Sequence, residues 1–142
     1  MLVLTITVRV RDVMDRNVVR VNESETLAEV IKKMLNSGVW SVIVERDQLP
    51  VGMITERDII RRAIAKGSSL DKVQVREIMS FPLITISPDA SIGEAMELMT
   101  EKNVRRLFVL ESGNITGRIT QTELFHNNLD IMLSLSSMHY QI

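Results

Sequence analysis

Two short stretches carry the residues with most chemical capacity. They are Gly52-x-Ile54-Thr55-x-x-Asp58 and, further on, Gly117-x-Ile119-Thr120-x-x-Glu123. Each reads as a strand that ends in threonine and opens a helix with an acid in its first turn. A hydroxyl and the amides of a helix start can hold a phosphate, and a nearby carboxylate can accept hydrogen bonds from both hydroxyls of a ribose. The same residues also make a helix cap, with the acid placed well for the macrodipole. The two uses do not exclude each other. A third feature is the adjacent pair Arg105-Arg106 just before an apolar run. Guanidinium groups meet phosphate in two-point fashion, although such a pair also suits a solvated strand edge.

Other chemistries find little support. The chain has no cysteine, which removes disulfides, thiolate metal sites and cysteine nucleophiles. His126 and His139 have no acidic or histidine partner at ligand spacing, so no metal site is expected. No Gly-x-x-x-x-Gly-Lys loop, Gly-x-Ser-x-Gly elbow or His-Glu-x-x-His helix occurs. Carboxylates and threonines sit only where caps would put them, and an enzyme is not expected. A net charge of −1 argues against sequence-independent nucleic-acid binding, although Arg57, Arg61, Arg62, Arg105 and Arg106 could form a basic stripe. The nine methionines fall mostly at helix-face or strand-end positions, as adaptable core filler does.

The elements that must position these residues come in two copies. Val10-Arg11-Asp12-Val13-Met14 returns as Val75-Arg76-Glu77-Ile78-Met79, and Gly52 to Asp58 returns as Gly117 to Glu123, both at an offset of 65 residues. An ungapped offset means equal element lengths and equal loops. Each copy reads strand, helix, strand, strand, helix. Val18 to Val21 is the first strand. Thr26-x-x-Glu29 and Ser91-x-x-Glu94 are capping boxes, and the helices after them should bury Leu27, Val30, Ile31 and Met34, or Ile92, Ala95, Met96 and Met99. Gly38 and Asn103 fit the left-handed stop of each helix. Strands follow at Ser41 to Glu45 and Val51 to Thr55, then at Leu107 to Leu110 and Ile115 to Thr120, with second helices near Glu56 to Ala65 and Gln121 to Asn128. The N-terminal residues alternate as a strand or arm does and are too short for a membrane span. The apolar tail from Leu129 reads as helical to Leu135.

With 142 residues the chain can bury roughly 68% of its unfolded surface in one core. Neither copy is large enough to be stable alone, so the two should pack about a pseudo-twofold axis in an α/β fold, with function sought in the cleft between them. The expected divisions are an arm at 1–9, a first unit at 10–67, a linker at 68–74, a second unit at 75–128 and a tail at 129–142, which could cap the core or supply a dimer contact.

The arrangement resembles a pair of cystathionine β-synthase (CBS) domains, a Bateman module, over about Val10 to Asn128. The resemblance rests on the two Val-x-x-x-Met openings, on Asn103-Val104-Arg105-Arg106-Leu107-Phe108-Val109, and on the two Gly-x-Ile-Thr-x-x-Asp/Glu stretches. It implies a small stand-alone CBS protein with two clefts for adenosine ligands. The first would hold Ile54, Thr55 and Asp58 with Pro82, Leu83, Val104, Arg105 and Arg106. Asp58 would take the ribose, Thr55 the α-phosphate, the arginines the remaining phosphate charge, and Ile54, Leu83 and Val104 the base. The second would hold Thr120 and Glu123 with Asn17, Val18, Val39, Trp40 and Ser41. It departs from the pattern, because Glu123 is one methylene longer than aspartate and Trp40-Ser41 replaces the arginine pair. Trp40 could stack on a purine or serve core or dimer packing. One competent site and one weak or empty site are expected.

The resemblance thus implies a regulatory module that binds AMP, ADP, ATP or S-adenosylmethionine, requires no cofactor, forms a homodimer through its helices and modulates an unidentified partner protein, and the absence of cysteine fits the expected cytoplasmic location. A structural or dimerisation unit without free ligand, or a nucleic-acid-binding CBS protein, are the alternatives. No membrane association is expected.

Overall fold

The apolar runs Val42-Ile43-Val44 and Leu107-Phe108-Val109 form the middle strands of two three-stranded sheets. Flanked on both sides, these positions are buried throughout, which is why they read as continuous runs and not as alternation. A computed structural model describes residues 7–139. Its helices are α1 (Val10–Val13), α2 (Leu27–Ser37), α3 (Glu56–Arg62), α4 (Ile92–Lys102) and α5 (Gln121–His139). Its strands are β1 (Arg20–Asn22), β2 (Ser41–Arg46), β3 (Leu49–Thr55), β4 (Thr85–Ile86), β5 (Arg106–Glu111) and β6 (Asn114–Thr120), and 3₁₀ turns lie at Ile64–Lys66 and Val75–Glu77.

Both sheets have the same topology. β1 runs parallel to β2 and β2 antiparallel to β3, as β4 does to β5 and β5 to β6. Even the irregularity repeats, since the register shifts between Val44 and Glu45 in one sheet and between Val109 and Leu110 in the other. The hairpin turns need positive φ at both central residues, and Asp47 (φ 50) with Gln48 (φ 66), and Ser112 (φ 52) with Gly113 (φ 81), supply it. Both capping boxes close: Thr26 Oγ1 accepts the Glu29 amide at 3.3 Å and Ser91 Oγ accepts that of Glu94 at 3.1 Å. Gly38 (φ 69) and Asn103 (φ 53) terminate α2 and α4 in the left-handed region, as their residue types predict.

The grouping in space differs from the order in the chain. One compact unit is Asn17–Ile84, and the other joins the residues up to Arg16 with those from Thr85 on. The opening segment of each sequence copy therefore completes the sheet and helices of the other. Val75, Ile78 and Met79 pack into a core with Leu27, Val30, Met34 and Ile54. Val75 donates its amide to Glu25 O at 2.9 Å, and Met53 and Ser80 exchange amide hydrogen bonds at 2.9 and 2.8 Å. In the second unit the Val10 amide donates to Ala90 O at 2.8 Å, and Asp15 and Arg118 exchange backbone bonds at 2.9 and 2.8 Å. Asp15–Arg118 lies at the same offset from Ser80–Met53 as the rest of the repeat. Gly52 and Gly117 make room for these crossings, since a Cβ on either would stand 2.7 Å from Ser80 O or from Met14 Sδ.

Four expectations need correction. The first strand starts at Arg20 and not at Val18, because only Arg20 to Asn22 meet β2 in register. Met96 is 44% exposed although its spacing suggested burial. The second helix of the first copy ends at Arg62 and resumes as a 3₁₀ turn. Its counterpart α5 does not stop at Asn128 and continues unbroken to His139, so the tail is a helical extension. The expected N-terminal arm falls largely on residues 1–6, which lie outside the described residues. Thr7 and Val8 belong to no regular element, and Arg9 makes an isolated antiparallel bridge with Ser91.

Candidate functional site

The end of β3 places Thr55 and Asp58 in a reciprocal pair. Asp58 Oδ2 accepts the Thr55 amide at 3.0 Å, and Thr55 Oγ1 accepts the Asp58 amide at 3.2 Å. The other carboxylate oxygen, Oδ1, has only longer contacts, with Ser80 Oγ donating at 3.4 Å and Arg62 Nε at 3.9 Å. Asp58 thus caps its helix through Oδ2, and its side chain is 14% exposed. The amides expected to face a phosphate are fewer than the sequence suggested. Glu56 N donates to Trp40 O at 3.2 Å, and Gln121 N donates to Arg105 O at 2.9 Å.

The second copy builds the same cap with different neighbours. Glu123 Oε2 accepts the Thr120 amide at 2.8 Å, and Thr120 Oγ1 accepts the Glu123 amide at 3.4 Å. In place of Ser80 and Met53 this unit has Asp15 and Arg118, whose side chains pair at 3.0 Å. Burial pushes the Glu123 carboxyl above its ordinary range, the charge of Asp15 adds to the rise, and the Thr120 amide together with Arg118 partly offsets it.

The structure places Ile54, Thr55, Asp58, Pro82 and Leu83 in the first unit, with Asn17, Val18, Val39, Trp40 and Ser41. Val104, Arg105, Arg106, Thr120 and Glu123 are in the second. Ile54 and Val39 are fully or nearly fully buried, Arg105 is exposed, and Trp40 at 42% exposure is not a core residue. Ser41 Oγ is buried without a hydrogen-bond partner. Of the proposed basic stripe, Arg62 is already engaged, donating from Nη1 to the carbonyls of Ile78 and Met79 at 2.9 and 3.3 Å. Sequence reasoning missed Ser80, Asp15 and Arg118 as neighbours of the two acids. Nothing local in the sequence pointed to them, because the bridges Met53–Ser80 and Asp15–Arg118 bring them to the acids.

A family model for the CBS domain matches residues 10–65 and again 75–130. The chain belongs to the CBS-domain family. An uncharacterized protein of Methanopyrus kandleri is 36% identical to this CBS pair over 121 residues, which cover 83% of the chain and 61% of that relative. The chain thus spans less than two thirds of that relative's length. The CBS domain-containing protein YhcV of Bacillus subtilis is 30% identical, with 84% of this chain and 85% of YhcV covered. Among solved structures, the hexameric CBS-CP12 protein from bloom-forming cyanobacteria superposes with a TM-score of 0.78 at 27% identity, covering 85% of this CBS pair and 72% of that chain. CBS pairs are in general regulatory, ligand-binding modules and typically not enzymes. Among the described residues no group of histidine, cysteine and acid side chains could hold a metal ion, and no helix is long and apolar enough to cross a membrane.

Proposed function

We propose that this CBS pair senses an adenine nucleotide, AMP, ADP or ATP, with S-adenosylmethionine as the related alternative, and thereby modulates a partner protein, working as a homodimer. The observation that carries the reading is the Asp58 carboxylate, capped through Oδ2 and only loosely held at Oδ1. A ribose diol offers two donors to such a group, and exchanging the 3.4 Å contact from Ser80 for a shorter one favours the bound form. The Thr55 hydroxyl, which accepts from Asp58, still has its own proton to donate toward a phosphate oxygen. Glu123, one methylene longer than aspartate and raised by burial with Asp15 nearby, is read as the weaker counterpart. A ligand can act as a signal only through its differential affinity for two states of the module.

The test is isothermal titration of the purified protein with AMP, ADP, ATP and S-adenosylmethionine, beside Asp58→Ala and Glu123→Ala. Saturable heat that is lost with Asp58→Ala and kept with Glu123→Ala supports the reading. Absence of heat from every ligand, with the protein folded, overturns it in favour of a structural module.

A further inference from the structure

The second unit holds a cavity of about 520 Å³ between α4 and α5, walled by Met96, Met99, Leu124 and Phe125. Arg105 and Gln121 adjoin this wall and are tied to each other, the Gln121 amide donating to Arg105 O at 2.9 Å. The volume lies within the range of about 300–1,000 Å³ in which small ligands are held. Met99 and Leu124 are buried and form its floor, whereas Met96 and Phe125, 44% and 65% exposed, stand at its rim. Of the residues lining it, Arg105 alone carries a charge. Its side chain is exposed and makes no hydrogen bond or ion pair among the described residues.

The first unit shows what the same fold does with this place otherwise. Positions 65 residues earlier supply an equally apolar wall, Ile31, Met34, Ile59 and Ile60, but Trp40 stands for Arg105, Leu35 for Thr100 and Glu56 for Gln121. There the cavity is only about 140 Å³. The second unit thus gives up an indole, a leucine side chain and a carboxylate at this place, and gains a cation without a partner. That combination suits a ligand with an acid head and an apolar body.

The single charge decides the head group. A carboxylate brings one negative charge and two oxygens to the fork of a guanidinium. A phosphate monoester brings nearly two negative charges at neutral pH, and the cavity has no second cation to meet them. Glu97 and Glu101 line a shallow recess that shares Met96 and Thr100 with the cavity, so an anion is disfavoured on that side and directed to Arg105.

We propose that the cavity between α4 and α5 binds a small amphipathic monocarboxylate, with its acid on Arg105 and the Gln121 side-chain amide and its apolar body on Met96, Met99, Leu124 and Phe125. Flexible thioethers accommodate a body of chain or ring form. The site is separate from the Thr55–Asp58 cap and does not depend on the nucleotide reading. Arg105, which the family resemblance gave to the phosphates, serves this acid instead.

The test is isothermal titration of the full chain, in buffer free of nucleotide, with octanoate and phenylbutyrate, beside octanol and octylamine as compounds of the same chain with other heads. Saturable heat from either carboxylate is expected, the tighter of the two giving the form of the body, with octanol and octylamine about tenfold or more weaker. Arg105→Trp and Gln121→Glu copy side chains that the first unit carries in its own folded groove, so both should fold, as circular dichroism checks. Each should lower carboxylate affinity about tenfold or more, the first by filling the cavity and removing the cation, the second by placing an acid beside the ligand. No saturable heat from either carboxylate overturns the proposal and leaves the groove to a protein contact. Octanol binding as tightly as octanoate overturns the acid head, and carboxylate binding that survives both substitutions overturns the site.

Discussion

Thr55 and Asp58 hold each other through two hydrogen bonds, 3.0 Å from the Thr55 amide to Oδ2 and 3.2 Å from the Asp58 amide to Oγ1. The pair starts α3, and the same carboxylate is the proposed ribose acceptor, so a single substitution confounds the two roles. Asp58→Asn separates them. Asparagine keeps an oxygen for the Thr55 amide, and removal of the first-turn charge should cost about 0.5–1 kcal/mol. For the ribose it replaces an acceptor-only group by one that offers an amide donor. The expected result is a small shift in the urea midpoint together with loss of nucleotide heat. Unchanged nucleotide affinity in Asp58→Asn would count against a ribose role for the carboxylate.

Gly52 and Gly117 occupy the same repeat position, yet alanine should cost more at Gly52. There the new Cβ meets a backbone carbonyl, Ser80 O at 2.7 Å, which is held in a reciprocal pair with Met53 and cannot turn away. At Gly117 the nearest atom is Met14 Sδ at 2.7 Å, the end of a flexible side chain, with Asp15 O at 3.1 Å behind it. We expect Gly52→Ala to lose about 1–3 kcal/mol, and Gly117→Ala under about 1.5 kcal/mol. Chemical unfolding of both variants checks this, and equal losses would show that Met14 is as fixed as the carbonyl.

The 65-residue offset carries the equal lengths of α2 and α4, of β2 and β5 and of β3 and β6, while α3 and α5 differ because only α5 continues past the repeat. The caps at Thr26 and Ser91 are legible in the sequence as well, because cap chemistry is local and depends on residues three apart. Gly38 and Asn103 are legible for the same reason. The exchange of opening segments is not, since Val10 and Val75 enter cores built by residues far along the chain, and no local pattern says which sheet an apolar segment completes. Met96 misleads because helical spacing marks an apolar stripe without saying how much of it a neighbour covers. Thr55, Asp58, Thr120 and Glu123 can be picked out as caps from residue type and spacing. The neighbours that give the two acids different characters, Ser80 on one side and Asp15 with Arg118 on the other, are brought to them by tertiary pairing, which residue type and spacing do not encode.

Arg62 holds the segment after the Val75–Glu77 turn, with Nη1 donating to the carbonyls of Ile78 and Met79 at 2.9 and 3.3 Å. Its side chain is about half exposed, so the contribution is modest. Arg62→Met, which keeps the aliphatic stem, should lose about 1–1.5 kcal/mol in urea unfolding. Asp58 Oδ1 lies 3.9 Å from Arg62 Nε, so the same variant should also lower nucleotide affinity only slightly if Arg62 is a structural tie. A large loss of affinity with unchanged stability would instead make Arg62 a ligand contact.

Glu123 gives the fold a pH dependence of definite sign. Burial, with Asp15 nearby, raises its folded value above the ordinary 4.5, so between 4.5 and the raised value the folded chain keeps a proton that the unfolded chain has lost. The folded state binds more protons there, and stability falls as pH rises through that window and levels off above it. Glu123→Gln removes the titration and leaves an oxygen for the Thr120 amide, which donates at 2.8 Å in the parent. The stability of the parent relative to Glu123→Gln should therefore decline as pH rises from about 4.5 and become constant once Glu123 is ionised in the folded state. Asp15→Asn, which removes one of the influences raising Glu123, should narrow the window while leaving its lower edge in place. Urea unfolding of the three proteins from pH 4 to 8 measures this. A parent-to-variant difference that stays flat, or grows in the parent's favour as pH rises, would mean that burial does not raise the Glu123 carboxyl in the fold.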